Sequence, residues 1–305
     1  MNKIIPKLQK IGKNSAPLSV QINLTNRCIN RCQMCRKYTW PQKDMDFKVL
    51  KEVVNDLIEM KVETIIFSGG EPLMYKKIID ILIYIKKRSN IKIMMISSGL
   101  SNFNIFAKAI PKLLDRMYFS VDAYEQDTYT KIRGKGNVDA VRNTVEYYKK
   151  YNPNTKIWIT EQKDNVYEIS KIIKWAKSFN IKYSIFPVHT YDNLKVEPDK
   201  KCDCEENKYC LYSYAFAMIH PDGDILSCCT LSADNALHTN IRKELILGNV
   251  YDKSFKEIWH SNKAKKIKKM IHDTRQPECA QCDRGTSANN VYNEYLEIKD
   301  KEVFL

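Results

Sequence analysis

At 305 residues the chain is long enough for one large domain, or for a domain of about 200 residues with a smaller partner. Its 44% hydrophobic and 10% aromatic content, with only 9 glycines and 10 prolines, excludes a mostly disordered chain. The net charge of +14 is spread as lysines over nearly every expected helix, the pattern of solvated faces rather than of a nucleic-acid footprint. The densest run, Lys263 to Lys269, falls in a late amphipathic helix and is the one stretch suited to an acidic partner. No stretch reaches the roughly 18 apolar residues needed to span a bilayer. The segment Met1–Pro17 alternates lysines with short apolar pairs and lacks a signal-peptide core, so a cytoplasmic protein with no membrane segment is expected.

In chain order the β-rich runs are Ser19–Asn26, Thr64–Ser68, Ile91–Ser97, Met117–Asp122, Lys156–Thr160 and Tyr183–Val188. Helical periodicity fills Phe47–Met60, Ile78–Arg88, Ile105–Leu114, Val138–Tyr151 and Val166–Phe179. Strands alternating with helices predict parallel strands with helices outside, in an open doubly wound sheet or a barrel. A glycine-rich phosphate loop after the first strand would favour the open sheet, but cysteines stand there instead. Barrel active sites form at the C-terminal ends of strands, where this loop lies. Beyond His189 the alternation stops. Thr190–Asn207 reads as a linker. A hairpin follows, Ala215–His220 and Asp224–Cys228 around Pro221-Asp222-Gly223. One long helix is expected from Ser254, with Glu257 completing a capping box, to about Ile271.

The ten cysteines fall in clusters with ligand-like spacing, which favours metal binding in a reducing compartment over disulfides. Cys28, Cys32 and Cys35 follow the first strand as C-x3-C-x2-C, and no Cys or His follows until His189. Three thiolates suit a four-iron cube with one iron left open; a closed electron-transfer cluster or a structural zinc site would ask for a fourth ligand. After the second strand stands Ser68-Gly69-Gly70-Glu71-Pro72. The two glycines let backbone pass close to a ligand, and the carboxylate suits an ammonium group. Ser97-Ser98-Gly99 ends the third strand and Ser120-Val121-Asp122 the fourth, placing short polar side chains at strand C-termini. The histidines show no H-E-x-x-H spacing, and there is no G-x-S-x-G or Walker-type loop, so hydrolytic and phosphoryl-transfer readings have no support.

In the order of these motifs the chain resembles the radical SAM superfamily. The resemblance implies a partial (β/α)6 TIM-like barrel whose three cysteines hold a 4Fe-4S cluster that binds S-adenosylmethionine through its open iron. By the same resemblance Gly69, Gly70 and Glu71 match the motif holding the methionine amino group, and Ser97, Ser98, Ser120 and Asp122 are further cofactor contacts. Arg133 matches a basic residue that approaches the methionine carboxylate. Met34 occupies a cofactor-side position where the family often has an aromatic, and Ser97-Ser98-Gly99 stands where it often has Thr-Asn-Gly.

The C-terminal region carries Cys210, Gly223, Cys228 and a closing Cys279-Ala280-Gln281-Cys282, with Ile246–Val250 and Ile258–Ser261 between. This looks like the auxiliary iron-sulfur domain called SPASM, in its shorter twitch form. Spacing alone admits a four-cysteine zinc site at Cys210, Cys228, Cys279 and Cys282; the resemblance implies a second 4Fe-4S cluster there. Cys202, Cys204 and Cys229 remain, as free thiols or, for Cys229, as a hydrogen donor to a substrate radical. The expected layout is an N-terminal extension over 1–17, the barrel over 18–195, the small domain (a β-hairpin plus helix) over 196–290 and a tail over 291–305.

The resemblance implies reductive cleavage of S-adenosylmethionine to a 5'-deoxyadenosyl radical that abstracts a substrate hydrogen, with electrons from an external flavodoxin- or ferredoxin-type donor. Only about 17 residues precede the barrel, whereas peptide maturases of this kind often bear an N-terminal recognition domain. That favours oxidation or epimerisation of a small molecule such as a sugar, aminocyclitol or nucleotide-linked compound, with a peptide maturase or epimerase as the alternative. A metal-stapled nucleic-acid-binding module and a redox carrier are the readings from other classes; the first predicts salt-sensitive nucleic-acid binding, the second closed clusters without a cofactor pocket.

Overall fold

The structure, a computed structural model, describes residues 15–35, 40–100, 109–188, 212–229 and 243–274. Its strands are β1 (Ser19–Asn23), β2 (Thr64–Ser68), β3 (Lys92–Ser97), β4 (Arg116–Ser120), β5 (Thr155–Glu161), β6 (Lys182–Pro187), β7 (Phe216–Ile219), β8 (Asp224–Leu226) and β9 (Gly248–Asn249). Its helices are α1 (Phe47–Glu59), α2 (Ile78–Arg88), α3 (Ile110–Leu113), α4 (Gln126–Arg133), α5 (Val138–Tyr151), α6 (Ile169–Ser178), α7 (Tyr212–Ala215), α8 (Phe255–His260) and α9 (Asn262–Asp273). The expected linker, the start of the helix expected from Ile105, and His189, Cys202, Cys204, Cys210, Cys279 and Cys282 lie outside the described residues.

Two compact units divide the chain: one takes 23–45 and 66–201, the other 1–22, 46–65 and 202–305. In the first, β3 to β6 run parallel in sequence order, with Ser97 beside Phe119, Phe119 beside Ile157 and Ile157 beside Tyr183. Side chains alternate between the faces of such a sheet. One face carries Met117, Phe119, Ile157 and Ile159, all fully buried, with Phe119 edge-on to Tyr148 of α5 at 5.1 Å. Burying each of these side chains is worth about 1.5–3 kcal/mol. The other face carries an aromatic row, Tyr118 to Trp158 at 4.3 Å and Trp158 to Phe186 at 5.7 Å.

In the second unit β1 pairs in parallel with β7, placing Val20 beside Ala217. The expected hairpin forms between β7 and β8, with Met218 opposite Leu226. Gly223 turns it at φ +99°, a left-handed backbone that glycine adopts without steric cost. The short strand β9, which the sequence pattern does not announce, adds to β8. α1 opens on Asp46, whose carboxylate accepts from the N–H groups of Lys48 and Val49, and buries Leu50, Val53, Val54 and Leu57.

The single helix expected from Ser254 to Ile271 is two helices, Phe255–His260 and Asn262–Asp273. The capping box of Ser254 and Glu257 is present. The break comes at Ser261, whose backbone is extended (φ −63°, ψ 155°) and whose Oγ accepts from the Ala264 N–H at 3.1 Å, starting α9 anew. Both halves keep an apolar face, so periodicity reads straight across the break. Lys268 fastens the corner: its Nζ donates to the Trp259 carbonyl at 2.9 Å and lies 3.7 Å from the centre of the Trp259 ring. α4 is a helix that periodicity misses, because its buried face is Thr128, Tyr129, Ile132 and Arg133 rather than an apolar stripe.

Candidate active site

β1 delivers the chain to the three-cysteine loop, and side-chain bonds hold the approach. Thr25 Oγ1 donates to Asp44 Oδ1 at 2.6 Å, and Arg27 makes a two-pronged pair with the same carboxylate at 2.9 and 2.6 Å while also donating to the Met74 carbonyl. Such a fork-on-carboxylate geometry fixes orientation as well as charge.

The Gly69-Gly70 pair packs directly on this approach. The Gly70 N–H donates to Thr25 O at 2.7 Å and the Glu71 N–H to Arg27 O at 2.8 Å. A Cβ at Gly70 would sit 2.2 Å from Arg27 O, and one at Gly69, whose φ is +134°, would sit 2.4 Å from Thr25 O. The glycines are therefore required by the backbone leading to Cys28.

Glu71 is fully buried, and its carboxylate is occupied by its own chain. Oε1 accepts from Ser97 Oγ at 2.8 Å and the Leu73 N–H at 3.2 Å; Oε2 accepts from the Ser98 N–H at 2.8 Å and Ser98 Oγ at 2.7 Å. A carboxylate offers about four lone-pair sites, so these bonds fill it. The structure thus brings Glu71, Ser97 and Ser98 together as one polar knot joining the two βα loops.

The cysteine loop rests on the end of α4. The Arg31 and Gln33 N–H groups donate to the carbonyls of Arg133 and Ile132, each at 2.9 Å, and Asn30 Nδ2 donates to the Tyr129 hydroxyl at 3.2 Å. Gly134 ends α4 at φ +80°, and a Cβ there would meet Arg31 Cβ at 2.8 Å. Asn30, Tyr129 and Gly134 belong to the site although the sequence reading passed over them; the helix-ending Arg-Gly pair is the signal that points to them.

Asp122 and Arg133 meet beneath this loop. Arg133 pairs with Asp122 Oδ2 and donates from its other terminal nitrogen to Cys32 Sγ at 3.5 Å. Asp122 Oδ1 accepts from the Thr160 N–H at 2.6 Å. Burial opposes the Arg133 charge, but Asp122, with Cys32 and Tyr129, more than offsets it, and the guanidinium is held cationic. Burial, followed by the negative charge of Glu71, pushes the Cys28 thiol up to about 12, and burial raises Cys32 despite Arg133. Both are therefore thiols in the metal-free chain and release protons when a metal binds.

Cys28, Cys32, Cys35, Cys228 and Cys229 are all unbridged. Among the described residues no three His, Cys, Asp or Glu side chains gather as ligands of a single metal ion; a cube with three ligated irons asks each thiolate to reach a different metal. The loop also holds polar atoms that a bound group would satisfy: Asn26 Oδ1 and Asn30 Oδ1 are buried without a hydrogen-bond partner, each at a cost of about 1–3 kcal/mol. The three thiols and these atoms fit an iron-sulfur cluster with a polar ligand beside it. Met34 and Ser120 are half-buried. Cys228 is buried just past β8 and Cys229 half-buried beside it, while the other three expected auxiliary ligands fall outside the described residues. Among the described residues no helix is long and apolar enough to cross a membrane.

Residues 22–176 match the family model of the radical SAM superfamily, and residues 210–283 match that of the SPASM iron-sulfur cluster-binding domain. A cofactor-modifying protein of the tungsten-containing aldehyde ferredoxin oxidoreductase from Pyrococcus furiosus is 21% identical, over 86% of this chain and 86% of its own. Streptococcus suis SuiB, solved with its precursor peptide SuiA, superposes with a TM-score of 0.68 at 17% identity, over 92% of this chain and 72% of that one. The protein anSMEcpe, solved with S-adenosylmethionine and a peptide, superposes with a TM-score of 0.64 at 16% identity, over 88% of this chain and 87% of that one. These likenesses show the fold, an α/β partial barrel with a small C-terminal domain, as the sequence led us to expect.

Proposed function

We propose, from the premise that the chain belongs to the radical SAM superfamily and carries a SPASM domain, that it modifies a peptide by abstracting a hydrogen from it. Together the two domains imply S-adenosylmethionine, a 4Fe-4S cluster in the barrel and auxiliary iron-sulfur binding in the small domain. When bound, the barrel cluster and S-adenosylmethionine supply a 5'-deoxyadenosyl radical, and the chain's part is to aim it and exclude competing reactions.

In this reading Cys28, Cys32 and Cys35 hold the first cluster. Cys210, Cys228, Cys279 and Cys282 hold the auxiliary one. Gly69 and Gly70 let the Glu71 loop press against the cysteine approach, and Glu71 fixes Ser97 and Ser98 where a ribose or amino-acid group of the cofactor would lie. Met34, Ser120 and Asp122 are further cofactor contacts in this reading. A flavodoxin- or ferredoxin-type donor supplies the electron, and the product is oxidised, epimerised or cross-linked. Cys229, next in sequence to an auxiliary ligand, is the hydrogen donor in this reading if the outcome is epimerisation.

The observation that carries the peptide over the small molecule is the likeness to two peptide-bound structures across 92% and 88% of the chain. The small-molecule reading keeps support as well: the Pyrococcus furiosus relative by its name modifies a cofactor and matches 86% of both chains, and BtrN, solved with S-adenosylmethionine and 2-DOIA, superposes with a TM-score of 0.57 at 15% identity over 88% of this chain and 92% of that one. The test is anaerobic incubation of the reconstituted protein with S-adenosylmethionine, dithionite and a synthetic peptide library, in heavy water, followed by mass spectrometry. Peptides that lose two hydrogens or gain one deuterium, with matching 5'-deoxyadenosine, support the reading. Turnover of sugars or aminocyclitols under the same conditions, with every peptide unchanged, overturns it.

A further inference from the structure

We infer that Arg133 is a positioning residue for the first cluster: it fixes the Cys32 sulfur and raises the cluster's reduction potential, instead of serving the methionine carboxylate of S-adenosylmethionine. This rests on the reading of Cys28, Cys32 and Cys35 as ligands of that cluster.

The geometry grips the loop from both ends of one residue. The Arg133 carbonyl accepts the Arg31 N–H at 2.9 Å, one residue before Cys32, while its guanidinium reaches Cys32 Sγ at 3.5 Å. That guanidinium is not free to swing to a ligand. Its side chain is only 10% exposed, and it is paired with an Asp122 side chain that is 0% exposed. Asp122 is in turn pinned by the Thr160 N–H at 2.6 Å, and its carbonyl takes the Asn165 amide at 2.8 Å. The chain from β5 through Asp122 and Arg133 to Cys32 is therefore continuous and buried.

The consequence for an iron-sulfur cluster is electrostatic. Hydrogen bonds to the ligand sulfurs and nearby positive charge favour the reduced cluster, which carries one more electron. Arginine supplies both at every working pH, since its guanidinium is never deprotonated in proteins, and at Cys32 its charge outweighs that of the Asp122 carboxylate paired with it. Lysine would supply the charge as a point on a flexible stem and could not bond Asp122 and the sulfur together in one fixed plane.

The test is an EPR-monitored redox titration of the anaerobically reconstituted full chain, without S-adenosylmethionine. The first cluster is identified as the signal lost in a Cys28/Cys32/Cys35→Ala variant. Arg133→Gln should lower the equilibrium constant for reduction at least tenfold, a shift of about 59 mV for one electron, at unchanged iron per chain; Arg133→Lys should fall between it and wild type. Wild-type protein labelled with 15N-arginine should show a 15N coupling to the reduced first cluster, a readout that stands even if the variants fail to take up iron. An unchanged potential in Arg133→Gln with weakened S-adenosylmethionine binding overturns the inference, as does absence of the 15N coupling. If the triple cysteine variant keeps the whole signal, the ligand reading itself fails, and the inference falls with it by a separate and recognisable route.

Discussion

Glu71 and Ser98 are joined twice, by the backbone N–H and the hydroxyl of Ser98, which both donate to Glu71 Oε2 at 2.8 and 2.7 Å. The carboxylate of the Gly-Gly-Glu-Pro turn therefore acts first on its own fold, tying the loop after β2 to the end of β3. Glu71→Gln keeps the volume but turns an NH2 group towards donors, leaving two of them without an acceptor. A loss of about 2–4 kcal/mol is expected, read as a lower denaturant midpoint, together with a raised KM for S-adenosylmethionine. Ser98→Ala, which removes one of the bonds, should cost about 1 kcal/mol.

Gly134 exposes the cysteine loop to a single methyl group from the side of α4. Gly134→Ala places a Cβ 2.8 Å from Arg31 Cβ at a backbone φ of +80°, and strain of about 1–3 kcal/mol follows. Because Arg31 precedes Cys32, the loop is expected to shift. Reconstituted iron per chain should fall by the content of one cluster while the far-ultraviolet circular dichroism stays unchanged.

Lys268 gives the protein a pH dependence of stability with a defined sign. Burial, and then the neighbouring Lys265, lower its pKa from 10.5 to about 8. Between those values the unfolded chain binds more protons than the folded one, so stability rises with pH across that window and levels off above it. Lys268→Met should remove this rise. The difference between the wild-type and variant midpoints in urea, measured at steps from pH 7 to 11, is the check.

Ser261 marks the boundary between α8 and α9, and its hydroxyl carries the cap of the second helix. Ser261→Ala should cost about 1 kcal/mol, and Ser254→Ala, which dismantles the capping box of α8, a similar amount. Thermal unfolding of both variants tests whether the two caps act separately or as one corner.

Much of this site was legible before any coordinates. The C-x3-C-x2-C spacing, the Gly-Gly-Glu-Pro turn and the strand-end serines all name short-range chemistry that residue type and order reveal, and the parallel strands follow from alternating runs. What stayed hidden is tertiary. The partner that demands Gly70 is Arg27 O, far back in the chain. α4 shows no apolar stripe because its buried side is spent holding the cysteine loop with Tyr129 and Arg133. The break at Ser261 escaped because its neighbours keep the same apolar face. The buried pairing of Arg133 with Asp122 depends on two strand ends and a helix end meeting, which spacing does not encode.

The most direct test of the account is 5'-deoxyadenosine release from S-adenosylmethionine by the anaerobically reconstituted protein under reduction, measured beside the iron and sulfide content. The wild type and the Cys28/Cys32/Cys35→Ala variant are compared. Release by the wild type, abolished in the variant together with the loss of about four irons, is the result predicted. Zinc in place of iron, or release that survives in the variant, would contradict it.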